Sequence, residues 1–258
     1  AAFVAWFLYL GKERFINSNI DQMSGSFLGP EFSSMNIENT LKINKINFTQ
    51  VSEDILIDSV IKAIMRGKTV GWMQGKMEFG PRALGARSIL ADPRSPEMHK
   101  HLNMKIKFRE SFRPFAPSIL QEHVQDWFDD IENGDYMQFV TTVKKSKRSN
   151  ISISNPIDQL YEVRSEIPAV THVDFSARVH TVNQKTNKKF HALISAFYEK
   201  TGCPILINTS FNVRGEPIVC SPVDAINCFM NTDLDLLAMG DFLIFKDDQP
   251  SSNLKKII

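Results

Sequence analysis

The sequence predicts an α/β fold, a mixed sheet with flanking helices, and three observations carry that expectation. Short apolar runs such as residues 68–73, 87–91 and 115–120 have the length of buried strands. Between them recur segments with apolar residues at helical spacing, as in Ile57, Val60, Ile61 and Ile64. Several of the strand-like runs end directly in polar turns, where such sheets present ligands.

Taken in order, residues 1–10 (AAFVAWFLYL) are almost wholly apolar. The run is too short to cross a bilayer and lacks the cationic leader of a signal peptide. It reads as a helix stopped by Gly11, Lys12 and Arg14, and its packing partners are expected upstream of the chain as given. Residues 24–34 (SGSFLGPEFSS) read as a loop, and the Asn-, Lys- and Ile-rich stretch to about residue 50 as an irregular linker. The domain organisation expected is therefore 1–50 as the tail of an upstream unit with its linker, and 51–258 as one domain.

Ser52, Glu53 and Asp54 open a helix that ends at Gly67, and residues 68–73 form a strand entering a glycine-rich motif. After the strand at 87–91, Ser95 followed by Pro96 starts a helix to about residue 105. Residues 115–120 are a strand, 121–135 a helix and surface turn, and 137–143 a strand. The basic, serine-rich stretch 144–155 reads as a solvated excursion. Residues 168–173 and 178–182 alternate as strands, and 190–200 (FHALISAFYEK) form an amphipathic helix stopped by Gly202. The strand at 204–208 runs into a polar turn, Ser221 and Pro222 start a helix to about residue 231, and strands at 234–239 and 242–245 close the fold around Gly240.

A chain of 258 residues is long enough for a sizeable core, and 43% hydrophobic with 23% charged residues is an ordinary globular composition. The formal net charge of +1 does not suit a nucleic-acid coat or a membrane surface, so any recognition of anions has to be local. Cys203, Cys220 and Cys228 are odd in number, widely spaced and set among apolar residues, which argues against a disulfide framework or a zinc site. They read as core residues in a reducing cytoplasm. None has a neighbouring His or Lys to activate a thiolate, and the histidines show no metal-binding spacing.

Cationic chemistry concentrates in residues 75–120. The motif MEFGPRALGARS delivers Arg82 and Arg87 from a Gly-Pro turn, and KFRESFRPF delivers Lys107, Arg109 and Arg113 among aromatics. Arginine beside glycine turns suits phosphate or carboxylate oxygens, because the guanidinium fork donates paired hydrogen bonds while glycine lets backbone amides approach. The apolar neighbours of Arg82 and Arg113 argue that neither is a solvated surface residue. Neither a Walker motif nor G-x-G-x-x-G is present, so a nucleotide site here is of another kind. A second run, Asn208, Thr209, Ser210 and Asn212, places small hydrogen-bonding side chains at a strand end. Lys107 and Arg109 form K-x-R; Ser210 and Asn212 form S-x-N.

These residues closely resemble the C-terminal region of the carbamoyltransferases of the nodulation-protein and antibiotic-tailoring type. The matching stretches are MEFGPRALGARSILADPR (77–94), KFRESFRPFAPSIL (107–120), residues 171–182 around Arg178, PILINTSFNVRGEP (204–217) and residues 237–245. The resemblance implies a twisted mixed sheet of the YrdC/Sua5-like type with a positively charged concave face. It implies that carbamoyl phosphate is cleaved and the carbamoyl group joined to the α-phosphate of ATP, giving carbamoyl adenylate and pyrophosphate, with Mg²⁺ accompanying the ATP. Transfer to an acceptor hydroxyl would belong to an iron-containing, Kae1-like N-terminal domain. Its ligand histidines are absent here, and residues 1–50 would be its remnant.

Carried over, Lys107 and Arg113 would be catalytic. Arg82, Lys107, Arg109 and Arg113 would hold the phosphates and carbamoyl phosphate, and Arg178, Asn208, Ser210 and Asn212 would complete the ATP site. Arg87, Arg214 and Glu78 are second-tier candidates. Two alternatives stay open: a threonylcarbamoyl-adenylate synthase serving tRNA modification, and a non-catalytic RNA-binding module.

Overall fold

A computed structural model describes residues 1–13, 21–150 and 162–250. Arg14 of the expected helix stop and residues 151–155 of the basic loop lie outside the described residues. The first element, Val4–Tyr9, is a π-helical turn whose Val4, Trp6, Leu8 and Tyr9 side chains are exposed. Among the described residues no helix is long and apolar enough to cross a membrane.

The segment expected as irregular linker is instead helix α1 (Ser34–Ile43) followed by strand β1 (Thr49–Gln50). The Ser33 hydroxyl caps α1 by accepting from the Asn36 amide, and Ile37 and Leu41, one turn apart, are buried in the main core. β1 pairs with the last strand of the sheet, so the boundary expected at residue 51 falls between two parts of one packed unit.

Helix α2 (Glu53–Met65) buries Leu56, Val60, Ile61 and Ile64, and its end at Gly67 (φ +75°) turns the chain into β2 (Val70–Met73). β3 (Arg87–Ala91) pairs antiparallel with β2 across a loop, residues 74–86. Helix α3 (Pro96–His101) continues as a π-turn to Ile106. β4 (Ala116–Leu120), the short α4 (Val124–Trp127) and β5 (Phe139–Thr142) follow. Residues 168–170, expected to begin a strand, form a 3₁₀ turn, as Pro168 supplies no amide to a ladder and fits a first helical position. The sheet resumes with β6 (Ser176–Val182), then α5 (Lys188–Thr201), β7 (Ile205–Ser210), α6 (Pro222–Met230), β8 (Leu236–Met239) and β9 (Phe242–Phe245).

Among the described residues nine strands form one mixed sheet in the order β1-β9-β8-β2-β3-β7-β4-β6-β5, parallel there only at β8/β2 and β4/β6. Register decides what meets at its working edge. Ser88 of β3 pairs with Ser210 of β7, Ala116 of β4 with Asn208 of β7, and Ser118 of β4 with His180 of β6. Because side chains alternate along a strand, Ser88, Ser118, Arg178, His180, Asn208 and Ser210 all project from one face. The start of β3, the end of β7 and the starts of β4 and β6 therefore lie together. Fully buried Trp72, Phe190, Phe197, Phe211 and Phe229 fill the core, each contributing roughly 2–3 kcal/mol by removal from water.

Candidate functional site

The glycine-rich loop before β3 is organised by one acid. Glu78 is buried, and its Oε1 accepts from the amides of Leu84 (2.7 Å), Ala86 (2.7 Å) and Arg87 (3.2 Å). Gly85 sits at φ +95° against the Phe190 ring, where an added Cβ would lie 2.2 Å from ring carbon Cδ1. Only glycine fits that approach. Arg87 is fully buried and donates to the carbonyls of Gln74, Gly75, Ala86, Pro30 and Cys220. Glu78 and Arg87 thus hold the loop in shape, and Arg82 rides on its exposed outer rim.

Lys107 ties the second motif to the polar turn. Its buried Nζ donates to the Ser210 carbonyl, to the Asn212 carbonyl and Oδ1 (2.9 Å each), and at 3.3 Å to the Ser210 hydroxyl. Ser210 in turn donates to Asn212 Oδ1 (2.7 Å), and Asn212 Nδ2 to the Glu216 carbonyl (2.8 Å). Burial, reinforced by nearby Arg109, pulls Lys107 down to about 7, although the four oxygens facing Nζ are placed to accept from the ammonium form.

Arg109 donates through Nε to Asn103 Oδ1 at 2.6 Å and lies over the Phe115 ring, so its charge has a neutral partner. Arg113 is exposed, 3.9 Å from Glu110. Glu110 is held below the ordinary carboxylate range by its own backbone amide and then by the positive fields of Arg214, Arg113 and Arg109. Asn103 Nδ2 and His99 Nε2 both hold the Arg113 carbonyl, at 2.9 and 2.7 Å.

On the other side of the β7 end, Asn208 is buried and donates to the Ala83 carbonyl (3.0 Å) and the Ser118 hydroxyl (2.9 Å). The Ser118 proton is then left for His180 Nδ1 at 2.7 Å, which fixes the Nε2–H tautomer of a fully buried ring that burial depresses to about 3. Asn208 Oδ1 has no hydrogen-bond partner, nor has Nε of Arg178. Burial and then the neighbouring Arg82 lower Arg178, so these two arginines form a second cationic group.

All the sequence-predicted residues lie along this edge, but in different roles. Lys107, Asn208, Ser210 and Asn212 are bonded into the scaffold, whereas Arg82, Arg113 and Arg178 hold charge that no described carboxylate closely pairs, Glu110 excepted. Arg82 and Arg113 are exposed, contrary to expectation, because their aromatic neighbours Phe79 and Phe112 are themselves at the rim, 71% and 54% exposed. Ser118, His180 and Asn103 escaped sequence reading. A buried polar residue inside an apolar strand was the available signal for the first two. Cys203 and Cys228 are both pushed up to about 12 by burial, which leaves them inert as nucleophiles.

An excess of cations, with the Nε donor of Arg178 unpartnered, is what a polyphosphate would satisfy. No cluster of three metal-ligating side chains occurs among the described residues. Residues 61–246 match the family described as carbamoyltransferase C-terminus. The chain belongs to that family. An uncharacterized Synechocystis protein is 45% identical over 97% of this chain and 42% of its own length. Nodulation protein NolO of Bradyrhizobium diazoefficiens is 44% identical over 76% of the chain and 33% of its own, and a 3'-hydroxymethylcephem-O-carbamoyltransferase of Amycolatopsis lactamdurans 35% over 71% and 32%. The chain thus spans well under half of these relatives. Among solved structures, full-length HypF in its phosphate- and nucleotide-bound form covers 79% of this chain and 22% of its own at 16% identity and a TM-score of 0.46, too loose to type the sheet.

Proposed function

We propose that this chain is the activating domain of an ATP-dependent carbamoyltransferase, with a sheet of the YrdC-like type. It would convert carbamoyl phosphate and ATP to carbamoyl adenylate, orthophosphate and pyrophosphate for transfer by a Kae1-like partner domain. Water cleaves carbamoyl phosphate to carbamate and orthophosphate; a carbamate oxygen then attacks the α-phosphate as pyrophosphate leaves. No protein nucleophile is needed, because positioned cations supply the stabilisation where charge builds. Lys107 and the turn it fixes would seat the triphosphate, with Arg109, Arg113 and Arg82 around it and Arg178 and Asn208 completing the site. Mg²⁺ bound to the triphosphate would neutralise the departing charge. The three free cysteines fit a reducing, cytoplasmic setting.

The observation that carries the reading is the juxtaposition, within one family motif pair, of buried Lys107 on the Ser210–Asn212 turn with the arginines whose positive fields act on Glu110. Beside that turn, a hollow of about 700 Å³ with apolar walls from Phe108, Val213, Ile218 and Val219, and with Glu216, Asp224 and Asn227 also lining it, has the size that a nucleoside requires. The test is pyrophosphate release from ATP and Mg²⁺. It is expected only when carbamoyl phosphate is added, and not with bicarbonate and threonine in its place. A folded sample that releases none and binds no ATP would overturn the proposal.

A further inference from the structure

Behind the Arg113 loop lies a second cavity of about 370 Å³, which the proposed chemistry does not use. Phe112 and Pro114, on either side of Arg113, form one wall, and Arg164 lines the interior. Arg164 is only 5% exposed, and its Nη2 has no hydrogen-bond partner. Among the described residues no carboxylate pairs with it at ion-pair distance. His99 and His172 share the cavity with Arg164. The cavity's carboxylates, Glu97 and Glu162, belong to exposed residues and so sit at its mouth, as does Lys100.

A neighbouring hollow of about 280 Å³ that contains Arg178 shares the lining residues Pro114 and His172 with the cavity. The Arg113 segment, whose carbonyl is held by His99, borders the cavity through Phe112 and Pro114. A buried guanidinium that no described carboxylate pairs at ion-pair distance, compensated only by the field of Glu162 and with its Nη2 unpartnered, is matched by the paired oxygens of a tetrahedral oxyanion.

We infer that this cavity is a second anion subsite, holding one phosphate-class dianion on Arg164 beside His99 and His172. Its natural occupant is either the phosphoryl group of the carbamoyl donor or the orthophosphate released from it. That choice rests on the proposed function; the binding of a phosphate dianion does not.

The test is calorimetric titration with orthophosphate, carbamoyl phosphate and, separately, ATP, on the wild type, Arg164→Met and Val173→Trp. Val173 lines the cavity from a position 40% exposed, so the tryptophan fills the space without disturbing the core, and it carries the test if Arg164→Met melts early. Orthophosphate affinity should fall roughly tenfold or more in both variants, as loss of a charged hydrogen-bond partner implies, with ATP affinity unchanged. A parallel fall for carbamoyl phosphate marks the donor as occupant, and a fall for orthophosphate alone marks the product. A folded variant that binds orthophosphate as the wild type does, or a wild type without saturable orthophosphate binding, overturns the subsite. Failure of ATP binding in all three proteins would count against the proposed function instead.

Discussion

Proton uptake on nucleotide binding is the sharpest consequence of the Lys107 environment. With Lys107 at about 7 in the free protein, its ammonium form is populated in roughly one molecule in eleven at pH 8 and in roughly ten in eleven at pH 6. A triphosphate beside Nζ favours the charged form and raises that pKa. If the shift carries it well above 9, binding takes up about 0.9 proton at pH 8 and about 0.1 at pH 6. At pH 8 the triphosphate is already fully ionised, its last proton having a pKa of about 6, so the ligand does not release a proton that masks the uptake. The arginines do not titrate in this range, and Cys228 is pushed up to about 12. Calorimetry of ATP binding in buffers of different ionisation enthalpy measures the number directly. Above pH 7 the dissociation constant should also rise about tenfold per unit. A buffer-independent binding heat at pH 8, or an undiminished proton uptake in Lys107→Met, would refute the assignment.

Three further outcomes separate binding from scaffold. Arg113→Ala removes an exposed side chain, so urea stability should change by less than about 0.5 kcal/mol while ATP affinity drops roughly tenfold or more, read by calorimetry. Glu78→Ala leaves the Leu84, Ala86 and Arg87 amides without their acceptor; at about 1–3 kcal/mol for each buried donor, a loss of about 3 kcal/mol or more in urea unfolding is expected, and Glu78→Gln, which keeps one acceptor oxygen, should lose less. His180, at about 3 when folded against about 6.5 unfolded, binds its proton more readily in the unfolded chain, so stability falls as the pH drops from 6.5 toward 3. That contribution is roughly 4–5 kcal/mol across the window, and the wild-type slope minus that of His180→Gln isolates it from the carboxylates.

The alternation that betrays an α/β sheet is a local property, and most strands and helices were legible from it. Pairing is not local. That β2 lies between β8 and β3, and that β7 inserts between β3 and β4, follows from the closure of the core, which no single stretch encodes. α1 was legible in principle: Ser33 as cap with Ile37 and Leu41 one turn apart is a helix signal, but Asn- and Lys-rich composition around them reads as linker. The 168–173 stretch shows the reverse: its apolar alternation reads as a strand, but Pro168 has no amide for a ladder and the chain forms a 3₁₀ turn there.

At the site, residue type was legible and partnership was not. Sequence shows that Arg82, Arg87 and Arg113 are arginines beside turns. It cannot show that Arg87 meets five carbonyls and is consumed by the fold, whereas Arg82 and Arg113 keep their charge outward. The distinction has a physical origin in desolvation: a buried guanidinium is tolerated only when its donors are satisfied, so the same motif must devote one arginine to shaping the loop before it can present another. Lys107 stands between these cases, buried and bonded yet pulled by burial to about 7, which is why its charge is expected to respond to a bound polyanion. Arg164, like Arg178, departs from the pattern as a cation with an unused buried donor, and the same desolvation argument is why an anion is proposed beside it.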